Sequence, residues 1–316
     1  MSTVMLPRCL LALVVCGITH STFGQSGEGS SPAPRLYAGA SFFSDNDDFS
    51  ARRVSLGAAT EFTDLLHFTG ARASHAWYSR GDWSASSNAI QLFKSALSGP
   101  RVLGFQGALG LSRLSTDHQM VTADLGQSFA LGETTSAEVF YSRDWVETKN
   151  ALSDGTSFNY YGAALTQQVT RRLTLIGVAA EHHFSDDNDR THLRLKAVYD
   201  LFPDNGVNVQ FRHRQFRNSS DISTHYFNPS KYREEMINLG YRGRVDGWLL
   251  SGAAGVGRQF VAQDAGRATE LFEFEVRTPA RSGVQGVANL SSGNSASISG
   301  ERYRYNLLQF SVFVPF

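Results

Sequence analysis

The chain has 316 residues, 29 basic against 29 acidic side chains, 29 glycines, 8 prolines and 12% aromatic residues. Its charge is balanced and scattered, with no basic stripe for nucleic acid, and no window beyond the amino terminus is apolar for long enough to form a helical membrane span. The only two cysteines, Cys9 and Cys16, lie near the start, which excludes a disulfide-stapled scaffold and a thiol enzyme.

Residues 1–24 read as a secretory signal. Arg8 supplies the positive start, Cys9 to Ile18 a short apolar core, and Thr22-Phe23-Gly24 a small-residue cleavage pattern. Cys16 follows Val14-Val15, a poor lipobox, so no lipid anchor is expected. Residues 25–34 have the Gly, Ser and Pro content of a flexible linker. Residues 35–316 form the third region.

From Arg35 onward, strand-like segments alternate with turn signals and no helical period appears. Sixteen segments read as strands: 35–43, 52–62, 66–78, 86–97, 101–114, 119–131, 134–147, 157–169, 172–184, 190–202, 206–217, 233–245, 248–261, 268–278, 283–293 and 302–316. In the tenth, Leu193, Leu195, Ala197, Tyr199 and Leu201 share one face, and His192, Arg194, Lys196 and Asp200 the other. The eleventh sets Val207, Val209 and Phe211 against Asn208, Gln210, Arg212 and Arg214. The fourteenth sets Phe272, Phe274 and Val276 against Glu273, Glu275 and Arg277. Such period-two runs are long for soluble strands and suit tilted membrane strands.

Thr63-Asp64, Ser98-Gly-Pro100, Gly132-Glu133, Thr170-Arg171, Pro203–Gly206, Asp246-Gly247 and Ala280–Gly283 are tight hairpin turns. Between them fall longer polar links such as Ser44–Ala51, Lys149–Thr156 and Asn218–Tyr232. No link before the eleventh strand exceeds about nine residues, so no long constriction loop is expected there. The expected fold is all-β: a transmembrane antiparallel up-and-down β-barrel of about 16 strands, both termini periplasmic. A soluble β-sandwich or lectin is the competing reading; uniform strand length and the secretory signal argue against it.

The last fourteen residues, Tyr303 to Phe316, sharpen this. Leu308, Phe310, Val312, Val314 and Phe316 alternate with polar or amphipathic neighbours. A strand ending on an aromatic residue resembles the closing strand of bacterial outer-membrane barrels. The resemblance implies the outer membrane of a Gram-negative bacterium, contact with its lipid and lipopolysaccharide, and recognition of Phe316 by the barrel-assembly machinery. With Phe310 toward lipid, the opposite parity faces the lumen. That set holds Arg53, Arg72, Asp124, Glu138, His192, Arg194, Lys196, Arg212, Arg214, Arg242, Glu273, Glu275, Arg277, Tyr37, Tyr160, Tyr303 and Tyr305. A sixteen-strand ring leaves an aqueous channel rather than a packed core.

Two links look alike, Phe43-Ser-Asp-Asn-Asp-Asp48 and Phe184-Ser-Asp-Asp-Asn-Asp189. An eight-strand duplication would explain their spacing, but no other pair of segments supports one. Glu181-His182-His183 with Asp186, Asp187 and Asp189 carries metal-ligand types, yet on a strand the two histidines point to opposite faces. No metal or cofactor is expected. His67, His75 and His213 have serines nearby without a recognisable catalytic arrangement, and no enzyme is expected.

Tyr226-Phe-Asn-Pro229, with Tyr232 three residues on, resembles a stretch of the porin domains of bacterial cellulose and poly-N-acetylglucosamine exporters and related single-barrel proteins. That resemblance implies a passive conduit for an exopolysaccharide, with Tyr226, Phe227, Asn228, Pro229 and Tyr232 at the pore mouth. Tyr160, Tyr303, Tyr305, Arg194, Lys196, Arg212, Arg214, Glu273 and Glu275, from the lumen parity, complete the expected polymer-contact set. Two alternatives stand beside it: the aromatic rings pack the link against the rim, and the charges pair to brace the wall. The large exporters carry a periplasmic array of helical repeats ahead of the barrel. A separate periplasmic helical-repeat partner is therefore expected here. A small-solute porin and a structural or interaction barrel are the rival functions.

Overall fold

Alternating apolar and polar residues leave each segment with one face for lipid and one for the interior, and only a closed ring satisfies every backbone group in that setting. The computed structural model describes residues 32–99, 101–220, 223–279, 283–296 and 302–316; the expected signal and most of the linker lie outside them. Its strands are β1 (Arg35–Asp45), β2 (Phe49–Asp64), β3 (His67–Arg80), β4 (Trp83–Ser98), β5 (Leu103–Leu114), β6 (Gln119–Ala130), β7 (Thr135–Trp145) and β8 (Ser157–Gln168). They continue with β9 (Leu173–Phe184), β10 (Asp189–Phe202), β11 (Val207–Asn218), β12 (Lys231–Val245), β13 (Trp248–Val261), β14 (Arg267–Arg277), β15 (Gln285–Ala296) and β16 (Arg302–Pro315). Each pairs antiparallel with its chain neighbour, and β1 closes the ring on β16, from Arg35 opposite Pro315 to Asp45 opposite Tyr305. All sixteen expected segments are present, and every boundary lies within about three residues of its expected place.

The parity set by Phe310 holds around the ring. Leu56, Ile90, Leu111, Ile237, Leu239 and Val256 point outward and are 60–69% exposed, as are Leu308, Phe310 and Phe316 to a lesser or similar degree. An apolar band of this extent, continuous over neighbouring strands, is a lipid-facing belt.

The links depart from expectation in two ways. Strands run further than their alternation suggested, so Ser44–Ala51 shrinks to the turn Asn46–Asp48. There Asp45 Oδ1 accepts from the backbone N–H groups of Asp47 and Phe49, both at 2.9 Å, and Asp48 takes φ 60°. Asp187 in the look-alike link takes φ 63°, and Asp117, in the unrelated stretch Leu114-Ser-Thr-Asp, takes φ 65°. Each of these turns uses a short polar side chain that tolerates the left-handed region, at different positions of the two look-alike links.

The second departure is a helix where none was expected, α1 (Lys149–Asp154), inside the Val146–Thr156 link between β7 and β8. Thr148 Oγ1 caps it by accepting from Ala151 N–H, and Gly155 ends it at φ 67°. Six residues are too few to print a helical period. This link is also longer than the expected limit and folds inward, burying Ala151 and Leu152 completely.

The interior is not simply a water-filled channel, as sixteen strands had suggested. On the β1–β8 side it is packed. At the end bearing the termini, Phe313 sits 4.7 Å from Phe62, 5.0 Å from Phe68 and 5.2 Å from Tyr37, ring centre to ring centre. At the other end, Phe49, Tyr78, Leu114, Trp145 and Leu152 form a second cluster. Open space remains on the β9–β16 side.

Because Ile237 lies mid-strand in the lipid belt, Ile237→Arg is expected to lower unfolding stability in lipid vesicles by about 2–4 kcal/mol. Glu133→Arg, in an exposed turn at the terminus-bearing end, is expected to stay within about 0.5 kcal/mol; denaturant titration of both variants checks the contrast.

Candidate functional site in the barrel lumen

A cavity of about 440 Å³ occupies the lumen, bordered mostly by β9–β16 and also by residues of β1–β3, β7 and β8. Its lining includes Arg171, Pro203 and Gly206 from turns at the terminus-bearing end, so it reaches that end of the barrel. Toward the other end it is lined by Phe43, Phe49, Trp145, Phe158 and Tyr305, and between them by Gln210, Asn208, Ser251 and Asn289. Ring faces interleaved with amide and hydroxyl groups make a surface on which a sugar can both stack and hydrogen-bond.

Two inward-folded links stop the far end. One is the α1 link, seated among Phe49, Tyr78, Trp145 and Leu114. The other joins β11 to β12 and carries Tyr226 to Pro229. Tyr226 is fully buried, stacks on Phe184 at 4.3 Å, donates to Asp186 Oδ1 at 3.0 Å and accepts from Asn188 Nδ2 at 3.0 Å. Asn188 Nδ2 also donates to Asn228 Oδ1, and Asn228 donates to the Ser220 carbonyl. Arg190 locks the link from below: Nη2 donates to the Phe227 carbonyl at 2.6 Å and Nε to Asn218 Oδ1 at 2.7 Å, while the guanidinium lies 4.5 Å from the centre of Phe216. Phe227 and Tyr232 complete the seal edge to face, 6.0 Å apart. The two links meet at His225, which pairs with Asp154 of α1 at 3.2 Å and contacts Thr156, while its carbonyl accepts from Thr148. Together they form a plug.

The lumen charges are largely paired with one another. Arg212 reaches from β11 across two strands to Glu273 on β14 at 2.8 Å, and is steadied by Gln210. Arg214 pairs with Glu234 at 3.1 Å and lies over the Tyr232 ring. Arg277 meets Glu275 at 2.8 Å, and Arg53 meets Glu147 at 2.5 Å. The long Arg212–Glu273 span passes above small residues. At Gly255 an added Cβ would lie 2.1 Å from Asn238 Oδ1, and at Gly240 2.3 Å from Asn208 Oδ1, so glycine is what leaves room for these amides.

The expected contact residues therefore fall into three groups. Arg194, Lys196, Arg212, Arg214, Glu273, Glu275 and Tyr305 line the cavity. Tyr226, Phe227, Asn228, Pro229 and Tyr232 are buried in the plug and its seat, where they pack the link inside the wall. Tyr160 and Tyr303 lie off the cavity. Tyr160 stacks on His182 at 4.1 Å beneath the plug, and Tyr303 donates to Asp45 Oδ2 at 3.0 Å. His182 points inward to His192, at 2.8 Å, and His183 outward to Asp189, on opposite faces as the strand period requires. Arg190, Asn188, His225 and Glu234 escaped the sequence reading, which weighed Asp186 only as a metal-ligand type. Parity alone identifies Glu234, two residues from Tyr232; the others act at strand ends and in links, where no period exists.

No protein-family model matches the chain, and no curated protein matches it in sequence. Among solved structures it is similar to one described as a bacterial polysaccharide outer membrane secretin. The two are 13% identical, with a TM-score of 0.66, over 91% of this chain and 100% of that one. The chain's fold is that of bacterial outer-membrane β-barrels. The barrel is also similar, at 11% identity and lower TM-scores, to two Pseudomonas aeruginosa structures. OccK7 (OpdD) gives 0.46 over 91% of this chain and 100% of that one, and OpdQ gives 0.45 over 90% and 99%.

Two outcomes are expected of the outer-membrane barrel's plug. Arg190→Met removes the hydrogen bond to the Phe227 carbonyl of the link and the one to Asn218 at the end of β11, so protease should cut within residues 219–230 while the barrel stays whole; an uncut link would show that the rings alone suffice. Burial, and Asp186 beside it, raise the Tyr226 phenol above its ordinary value. A raised folded-state pKa means the stabilisation is complete below about pH 10, the unfolded value, and is lost as pH rises beyond it. Protection of the link's amides, taken relative to their intrinsic exchange rate, should therefore fall above about pH 10, and Tyr226→Phe should remove that fall.

Proposed function

We propose that this barrel is a plugged conduit in the outer membrane that exports an exopolysaccharide. In this reading the terminus-bearing end is periplasmic and the plugged end extracellular, Phe316 engages the assembly machinery, and a separate periplasmic helical-repeat protein delivers the polymer. The observation that carries it is the cavity: an aromatic and hydrogen-bonding lining that starts at the terminus-bearing end and runs up to a plug held by side chains. Sugars expose apolar C–H faces and polar rims together, and such a lining answers both. The likeness to a polysaccharide secretin over the whole of that chain supports the same reading. So does the Tyr226–Tyr232 stretch, which here forms the part that must move to let a chain out. The paired lumen charges brace the wall, while Tyr305 and the amides offer contacts along the path.

Planar-bilayer recordings test this. The native barrel is expected to show low, intermittent conductance, and a variant with residues 220–228 replaced by a short Gly-Ser linker a larger, steady one. Oligosaccharides should reduce the latter more strongly as they lengthen. Large conductance indifferent to any sugar would favour a small-solute porin, and a closed pore in both proteins would favour a structural barrel. Deleting the gene should lower secreted polysaccharide; unchanged secretion defeats the proposal.

A further inference from the structure

The cations of β10 and β11 stand directly opposite each other: Arg194 faces Arg214 and Lys196 faces Arg212. Like charges so placed on an antiparallel pair repel. Two of the four are relieved from the next strands, Arg214 by Glu234 and Arg212 by Glu273. The other carboxylates that line the cavity are already engaged, Glu275 by Arg277, Glu270 by Arg304 and Glu147 by Arg53, while Asp144 and Asp200 have partners of their own. Of the remaining two, Lys196 has a partner of its own, and Arg194 is left over. It lines the cavity, its Nε is buried without a hydrogen-bond partner, and no ion pair with a described residue engages it. A guanidinium set in a cavity wall, beside three further cations and with no carboxylate of its own, is an incomplete ion pair. Its missing half is an anion with two coplanar oxygens, the acceptor that matches the guanidinium fork.

We propose that Arg194 is an anion-binding residue for the cargo, and that the polymer is therefore acidic, carrying a carboxylate on its sugar units. This rests on the conduit reading and adds the substrate class to it. Tyr305 and Phe43 line the same cavity and supply ring faces for the sugar. The paired charges elsewhere present no net attraction, so selection for charge concentrates at this one position. The cavity reaches the terminus-bearing end, so a short oligosaccharide can enter without displacing the plug.

Calorimetry on the purified full barrel in detergent tests it, with trigalacturonate as the acidic probe and cellotriose as the neutral one. Trigalacturonate is expected to bind more tightly than cellotriose. Arg194→Gln should weaken trigalacturonate roughly tenfold and leave cellotriose unchanged, and Arg194→Lys, which keeps the charge without the fork, should recover only part of the affinity. A shift in gel migration between unboiled and boiled samples establishes that each variant is folded. Cellotriose binding as well as trigalacturonate, with neither affected by Arg194→Gln, overturns the acidic cargo and leaves the conduit standing. Monomeric galacturonate binding as tightly as the trimer, and lost in Arg194→Gln, upholds the anion site and counts against a polymer path. No binding of any sugar overturns both.

Discussion

The structure depends on one pairing, β1 with β16. Every strand in a lipid bilayer must hand its backbone N–H and C=O groups to a neighbour, because hydrocarbon offers no substitute, and an open edge would leave a full row unsatisfied. The register from Arg35 opposite Pro315 to Asp45 opposite Tyr305 removes that edge. It also sets parity for the whole ring. Once Phe310 faces lipid, each inward and outward residue follows strand by strand, down to Glu273 and Arg277 on β14.

Closure at sixteen strands creates the second problem, an interior wider than its wall residues fill. The chain answers differently on its two sides. On the β1–β8 side, phenylalanines stack on Phe313 and the α1 link fills the other end. On the β9–β16 side, charged residues reach over glycines and hold one another at a distance, which keeps space open. The cavity, its aromatic rim and its ion pairs are thus the remainder after half of the barrel has been packed.

Strands and parity were legible because period two is a physical signature that survives in one sequence: the burial of Tyr305 and the exposure of Leu308 follow from it. Even the competing idea that lumen charges brace the wall was readable, since Arg212 and Glu273 share a face. What escaped lies where no period operates. Leu152 belongs to a six-residue helix, and nothing in Lys149–Asp154 announces burial among Tyr78 and Trp145. The pairing of His225 with Asp154 joins links 71 positions apart in the chain, and only the closed ring brings them together. The Tyr226–Tyr232 stretch was singled out by resemblance, but its seat on Phe184, Asn188 and Arg190 depends on a neighbouring hairpin.

The plug is held by side chains and by carbonyl groups of the links, not by the strand ladder. Withdrawing the β11–β12 link breaks the contacts of Arg190, Asn188, Asp186 and His225, yet leaves the register of β11 with β12 from Val207 opposite Tyr241 to Arg217 opposite Lys231 untouched. Wall and stopper are mechanically separate parts. The barrel can therefore be tuned for how readily it yields, by exchanging a few residues at one end, without any change in how firmly it sits in the membrane.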